Sequence, residues 1–223
     1  MEVAARQATF LHSSIGRKVV MAVTGLILFG FVIGHMIGNL QVYIGAEELN
    51  AYGLFLRHFG HGGALWIARA VLLTAVLLHI WAAWSLTLMN RAARPIGYRQ
   101  LQARESTYAS RTMRWSGVLL LAFIIFHILH FTTGTLHPDF IPGDVYHNVV
   151  TGLRVVPVAI FYLIAMVALG AHLYHGAWSL LQTLGLNHPR WNTLRFTICV
   201  SLALVVTVGN LSFPAAVLAG IIS

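Results

Sequence analysis

VVMAVTGLILFGFVIGHMIGNLQVY, residues 19–43, contains no Asp, Glu, Lys or Arg, and its only histidine is His35. A helix rises 1.5 Å per residue, so about 20 apolar residues cross roughly 30 Å of hydrocarbon. The stretch is therefore predicted to be a membrane-spanning helix. Outward from it, four further apolar runs of sufficient length follow, at about 64–89, 115–136, 155–184 and 194–219. Water is absent from the bilayer core, so every backbone N–H and C=O must pair within its own segment or within a closed barrel. A barrel would show alternating segments of about ten residues, and none is present. The predicted fold is all-α, a single domain over residues 1–223 built as an integral membrane bundle of five transmembrane helices.

Composition agrees. The chain is 58% hydrophobic and 9% charged, whereas soluble chains carry about 25% charged residues. The net charge of +8 would suggest nucleic acid in a soluble protein. Here the basic residues lie in short connections, where topology explains them and no nucleic-acid partner is expected. Arg6, Arg17 and Lys18 precede the first span; Arg91, Arg94, Arg99, Arg104, Arg111 and Arg114 lie between the second and third; Arg190 and Arg195 lie between the fourth and fifth. Only Arg57, Arg69 and Arg154 fall on the other side, beside Glu47, Glu48, Asp139 and Asp144. The positive-inside rule then puts the N-terminus in the cytoplasm. With one cysteine, Cys199, the chain cannot by itself supply the four thiolates of an iron–sulfur cluster.

Twelve histidines are present, and ionisable residues inside spans are costly and functional by default. His35 lies in the first span, His79 in the second, His127 and His130 in the third, and His172 and His175 in the fourth. One buried histidine is more often a hydrogen-bonding group between helices than a ligand. One on each of four consecutive spans points to axial ligands of haem iron. Zinc would want four ligands at one depth, and a histidine proton relay is the remaining alternative. His35 lies 18 residues beyond Arg17, and His172 lies 18 beyond Arg154, each about 27 Å of helix. Because the two arginines sit at opposite faces, His35 and His172 sit at different depths, which favours two haems. His79 and His127 lie nearer the middle, and depth does not assign either to a partner.

His130 and His175 follow His127 and His172 by three residues and share a helix face with them, as alternative ligands or as partners of haem propionates. Arg17, Arg111 and Arg114 lie where propionates would be paired, although topology alone also places arginines there. Gly30, Gly34 and Gly38 recur every four residues, a spacing that admits a helix or a flat porphyrin.

With these residues in view, the sequence resembles the cytochrome b558 subunit of succinate dehydrogenase and fumarate reductase, the single-subunit, five-helix, dihaem kind. The resemblance spans essentially the whole chain. It is carried by LHSSIGRKVVMAVTGL at 11–26, GHMIGNL at 34–40, SRTMRWSG at 110–117, FHILHFTTGTLHP at 126–138 and AHLYHGAWSLLQTLGL at 171–186. It implies axial ligands His35, His79, His127 and His172, paired His79 with His172 on the cytoplasmic side and His35 with His127 on the outer side. It further implies two b haems, a membrane quinone (menaquinone in this branch), and location in the bacterial cytoplasmic membrane as a multi-pass protein. Separate flavoprotein and iron–sulfur subunits are the implied partners, with succinate oxidation on the former. Ser13 and Arg17 are similar to the quinone-site Ser and Arg of related two-subunit anchors. Some dihaem members carry a glutamate two residues before the fourth-span ligand, whereas this chain has Gly170. Other readings are a dihaem b subunit of another quinone-linked enzyme, of nitrate reductase or hydrogenase type, and a histidine-bearing transporter without haem.

Overall fold

The computed structural model describes residues 10–93 and 108–223, and all its regular elements are helical. Five helices are long and apolar enough to cross a membrane. These are α1 (Ser14–Asn39), α3 (Gly63–Ala92), α4 (Tyr108–His127), α6 (Val156–Thr183) and α7 (Asn192–Leu218). Two shorter helices, α2 (Ala46–His58) and α5 (Val145–Arg154), occupy the connections at the end of the bundle away from Ser14, called the far end below. Arg6, Arg94, Arg99 and Arg104 lie outside the described residues, as does the side chain of Arg111.

Element ends follow local chemistry. The Ser13 hydroxyl accepts from the Gly16 N–H at 2.9 Å and so caps α1, satisfying one of the donors a helix start leaves free. The α1 span closes in a 3-10 turn over Leu40–Tyr43 before Gly45, whose φ of 148° suits glycine. Pro157 has no N–H to continue a helix from α5, and the chain breaks at Val155 before α6 begins. The third span ends in a π-helical turn, Ile128–Thr132, immediately after His127. It therefore stops short of the expected Leu136, at a bend completed by Gly134 (φ 74°).

Helix α6 packs along α7 and α4, and α1 packs along α3. The crossings use small side chains, with Ala82, Ala159, Ala165 and Cys199 fully buried, which lets backbones approach. The outside is apolar, with Trp66, Ile67, Leu73, Leu77 and Trp84 exposed along α3 alone. Such a surface is a liability in water and the expected one in lipid. Arg195, placed in a loop by the sequence, stands instead in the first turn of α7. It is 5% exposed, with its guanidinium 4.2 Å from the Trp178 ring centre, because the ring face accepts the cation as α7 folds onto α6.

The two far-end helices are not apolar enough to stand out as spans. They are joined by Asn50 and Asp144. The Asn50 amide donates to the Asp144 carboxylate at 2.9 Å, and its carbonyl accepts from the Tyr146 N–H at 2.9 Å. Asp144 also caps α5 by accepting from the His147 N–H at 3.0 Å. These bonds, that from the His147 backbone first and then that from Asn50, hold the Asp144 carboxyl below its usual value. A carboxyl lowered on folding contributes stability above its unfolded pKa of about 3.9, and the contribution is lost as pH falls through the lower folded value. Asp144→Ala is expected to cost about 1 kcal/mol of cap stability, seen as faster amide exchange at His147 and a lower Tm at pH 7. Wild type should approach the variant's Tm only as pH falls from about 3.9 through the lower folded value, and a Tm gap as wide at about pH 2 as at pH 7 would contradict the assignment.

Candidate functional site: two facing histidine pairs

Four span histidines meet in two pairs. His79 of α3 faces His172 of α6 with ring centres 6.4 Å apart and planes at 55°. His35 of α1 faces His127 of α4 at 5.8 Å and 88°. The helices bearing each pair are not the ones that pack closely. The extensive contacts run α1 to α3, α4 to α6 and α6 to α7, with none comparable between α3 and α6 or between α1 and α4.

The pairs lie at two levels. Thr24 of α1 touches His79, and Ser116 of α4 touches His172. Eleven residues separate Thr24 from His35, and eleven separate Ser116 from His127. Eleven residues are about three helical turns, so each hydroxyl shares a face with the histidine beyond it, at roughly 16 Å along the axis. The His79/His172 pair is thus the one nearer Ser14, and the His35/His127 pair is nearer the far end.

Donor accounting assigns the tautomers. The Thr24 hydroxyl lies 2.7 Å from the Val20 carbonyl and 3.1 Å from His79 Nδ1. It has one proton, which goes to the carbonyl. Towards the ring it is therefore an acceptor, and His79 carries its proton on Nδ1. The Ser116 hydroxyl likewise donates to Met113 at 2.8 Å and stands 3.2 Å from His172 Nδ1. Both rings thus keep their proton on Nδ1 and have a free Nε2 lone pair. The Tyr162 hydroxyl lies 3.3 Å from His127 Nδ1 and 3.1 Å from His130 Nδ1, so its single proton serves one ring while it accepts from the other. His35 makes no such bond and stacks on Phe31 at 5.3 Å.

The other candidates separate from these pairs. His130 is fully buried among Phe126, Phe131 and His137 at 5.2, 4.1 and 4.9 Å, and its Nε2 has no hydrogen-bond partner. His175 bonds Ser179 at 3.3 Å. Ser13 is spent on the α1 cap, its hydroxyl donating to Phe10 at 2.7 Å. Arg17 bonds the Leu11 carbonyl at 3.1 Å and lies 5.8 Å from the Trp81 ring centre. Arg114 is exposed. Of the glycine stripe, only Gly38 serves a close approach, to Tyr52, and a Cβ on Gly30 or Gly34 would meet nothing within 4 Å. Among the described residues no group of three or more His, Cys, Asp or Glu side chains converges on one metal-sized point.

A family model described as succinate dehydrogenase/fumarate reductase transmembrane subunit matches residues 87–208. The chain belongs to that family. It is therefore a membrane subunit of a succinate dehydrogenase/fumarate reductase complex. The matched segment holds His127 and His172, while His35 and His79 lie before it. Neither a search of curated proteins nor one of solved structures returned a match.

Within this transmembrane subunit, Gly170 is buried against Thr207 where α6 meets α7. A glutamate, which some members of the resembled family carry at this position, would have no room here as the two helices stand. Sequence reasoning missed Thr24, Ser116 and Tyr162, although a hydroxyl eleven residues ahead of a span histidine was visible. Gly170→Glu is expected to wedge α6 from α7, costing about 1–3 kcal/mol for overpacking and more for the buried charge. A drop in the Tm of the purified subunit, partly recovered by Thr207→Ala, checks the packing; an unchanged Tm would refute it.

Proposed function

We propose that this chain is a dihaem cytochrome b membrane anchor, passing electrons between an iron–sulfur subunit and a membrane quinone, menaquinone in the branch it resembles. The observation that carries the proposal is the pair of opposed imidazoles at each of two levels. A metal bound at about 2 Å by one nitrogen from each of two opposed rings puts the ring centres about 6 Å apart, and the two pairs stand at 6.4 and 5.8 Å. Each pair bridges two helices that do not pack on one another, which suits a flat macrocycle. His79 and His172 present free Nε2 lone pairs, and His127 does so when the Tyr162 proton serves His130. The proposed ligand pairs are therefore His79 with His172 and His35 with His127. When bound, haem b supplies a one-electron ferric/ferrous couple at each level.

The chain's own residues set the conditions for that chemistry. Thr24 and Ser116 accept the Nδ1 protons of their histidines, which fixes ring orientation and raises ligand basicity. Thr24 lies 2.7 Å from a backbone carbonyl and so cannot turn its proton towards His79 without losing that bond. The exposed apolar helix faces keep the bundle in lipid, where a hydrophobic quinone is dissolved. The basic residues of the 11–18 segment and of the connections α3–α4 and α6–α7 orient the Ser14 end towards the cytoplasm. Flavoprotein and iron–sulfur subunits would dock there, closest to His79 and His172. Membership of the succinate dehydrogenase/fumarate reductase family favours this reading over nitrate reductase or hydrogenase subunits.

Pyridine haemochrome quantitation on the purified complex is expected to give about two b haems per chain, from two pairs of axial histidines. His35→Ala and His172→Ala should each remove one haem, and a different one, in reduced-minus-oxidised spectra. Loss of the same single haem from both variants, or a colourless wild type from haem-replete cells, would sink the proposal. Ser116→Ala should raise the midpoint potential of the haem that His172→Ala removes, because a less basic imidazole stabilises ferric iron less. An unmoved potential would show that Ser116 does not act on the ring.

A further inference from the structure

A cleft of about 190 Å³ opens at the far end between α2, α3 and the π turn, and Arg57, Arg69, Phe131 and Thr132 are among its lining residues. Its wall is one ring away from a histidine pair, since Phe131 lies 5.7 Å from His127, centre to centre. Depth agrees. Thr24 and His79 are level with one another, α1 and α3 run in opposite directions, and Arg69 stands ten residues back from His79. That is about 15 Å, which brings Arg69 to the level of His35. Neither arginine meets a carboxylate among the described residues, where the single ion pair is His147 with Asp139. Arg69 lies 4.8 Å from the Trp66 ring centre, on a helix whose outer face is apolar. A guanidinium at that depth is costly unless it meets an anion or water.

We infer that this cleft is a carboxylate site in which Arg57 and Arg69 pair with the two propionates of the porphyrin held by His35 and His127. The chemistry is matched on both sides. A b-type porphyrin carries two carboxylates on one edge, and their burial in a low-dielectric bundle requires cationic partners. Guanidinium is the side chain suited to carboxylate, by planar shape and by charge that persists when desolvated. Sequence analysis placed both residues on the outer side as a matter of topology and sought propionate partners only at the opposite face. The inference rests on the dihaem reading above.

The test uses the full-length chain carrying His172→Ala, which leaves His35 and His127 as the only pair. It is stripped of haem and reconstituted in detergent with iron protoporphyrin IX or with its dimethyl ester. The free acid is expected to bind at least about tenfold more tightly than the ester, in line with the loss seen when outer-shell partners are removed. Arg57→Gln with Arg69→Gln should abolish that preference, leaving acid and ester equal. The double lysine variant should restore part of it by returning the charge. In the complete complex, the double glutamine variant should lower the midpoint potential of the haem that His35→Ala removes and leave the other haem unchanged. Equal binding of acid and ester by the parent, or a preference that survives both glutamines, overturns the inference. So does loss of phospholipid phosphorus from the double variant with its haem-over-ester preference intact, which would make the cleft a lipid-phosphate site. A His172→Ala chain that binds no haem, beside a wild type that binds two, would instead break the reading of independent pairs, and the inference would fall with it.

Discussion

Across the middle of the bundle, α3 and α6 meet through His79 and His172, and α1 and α4 meet through His35 and His127. Imidazole against imidazole is a poor way to join two helices in lipid. The rings offer little packing area, and their polar nitrogens need partners that hydrocarbon does not supply. The backbone contacts that hold the bundle lie elsewhere, along α1 with α3 and along α6 with α4 and α7. That division leaves α3 and α6, and α1 and α4, without extensive contacts of their own, and the rest of the structure keeps the ring pairs in register. Small residues such as Ala82 and Ala165 bring the packed pairs close. Hydroxyls on the neighbouring helices point the rings inward.

The hydroxyls show how a membrane protein satisfies a polar group without closing its site. Thr24 and Ser116 each give their proton to a carbonyl of their own helix and take one from a ring. Each ring is left with one nitrogen satisfied and one available. A serine or threonine suits this role because its single proton has a standing acceptor one turn back along the helix. Tyr162 serves the other level, where its hydroxyl lies between His127 and His130. His130 is locked among aromatic rings and joins that network rather than facing across a gap.

The far end is built differently from the near end. Helices α2 and α5 lie over it, tied by Asn50 and Asp144, and the chain terminus returns to them through the Tyr146 hydroxyl and the Ser223 carbonyl at 3.3 Å. This cover brings Arg57 to the same cleft as Arg69. Among the described residues the near end carries Arg17, Lys18, Arg91, Arg114, Arg190 and Arg195.

Sequence by itself determined the five spans, because an apolar run in a water-free solvent has only one open-chain way to satisfy its backbone. It also determined that His35 and His172 lie at different depths, because helix rise per residue is fixed. Tertiary structure decided the rest. Depth left His79 and His127 unassigned and the resemblance implied their partners, and it is the packing of α1 on α3 and of α4 on α6 that brings those rings face to face. The surface helices α2 and α5 were missed because their apolar content is too low to signal a span. That Arg57 and Arg69 line one cleft, and that Ser116 reaches His172 across 56 positions, could not be read from the chain. Such contacts depend on how helices rotate and cross, which side chains distant in sequence settle together.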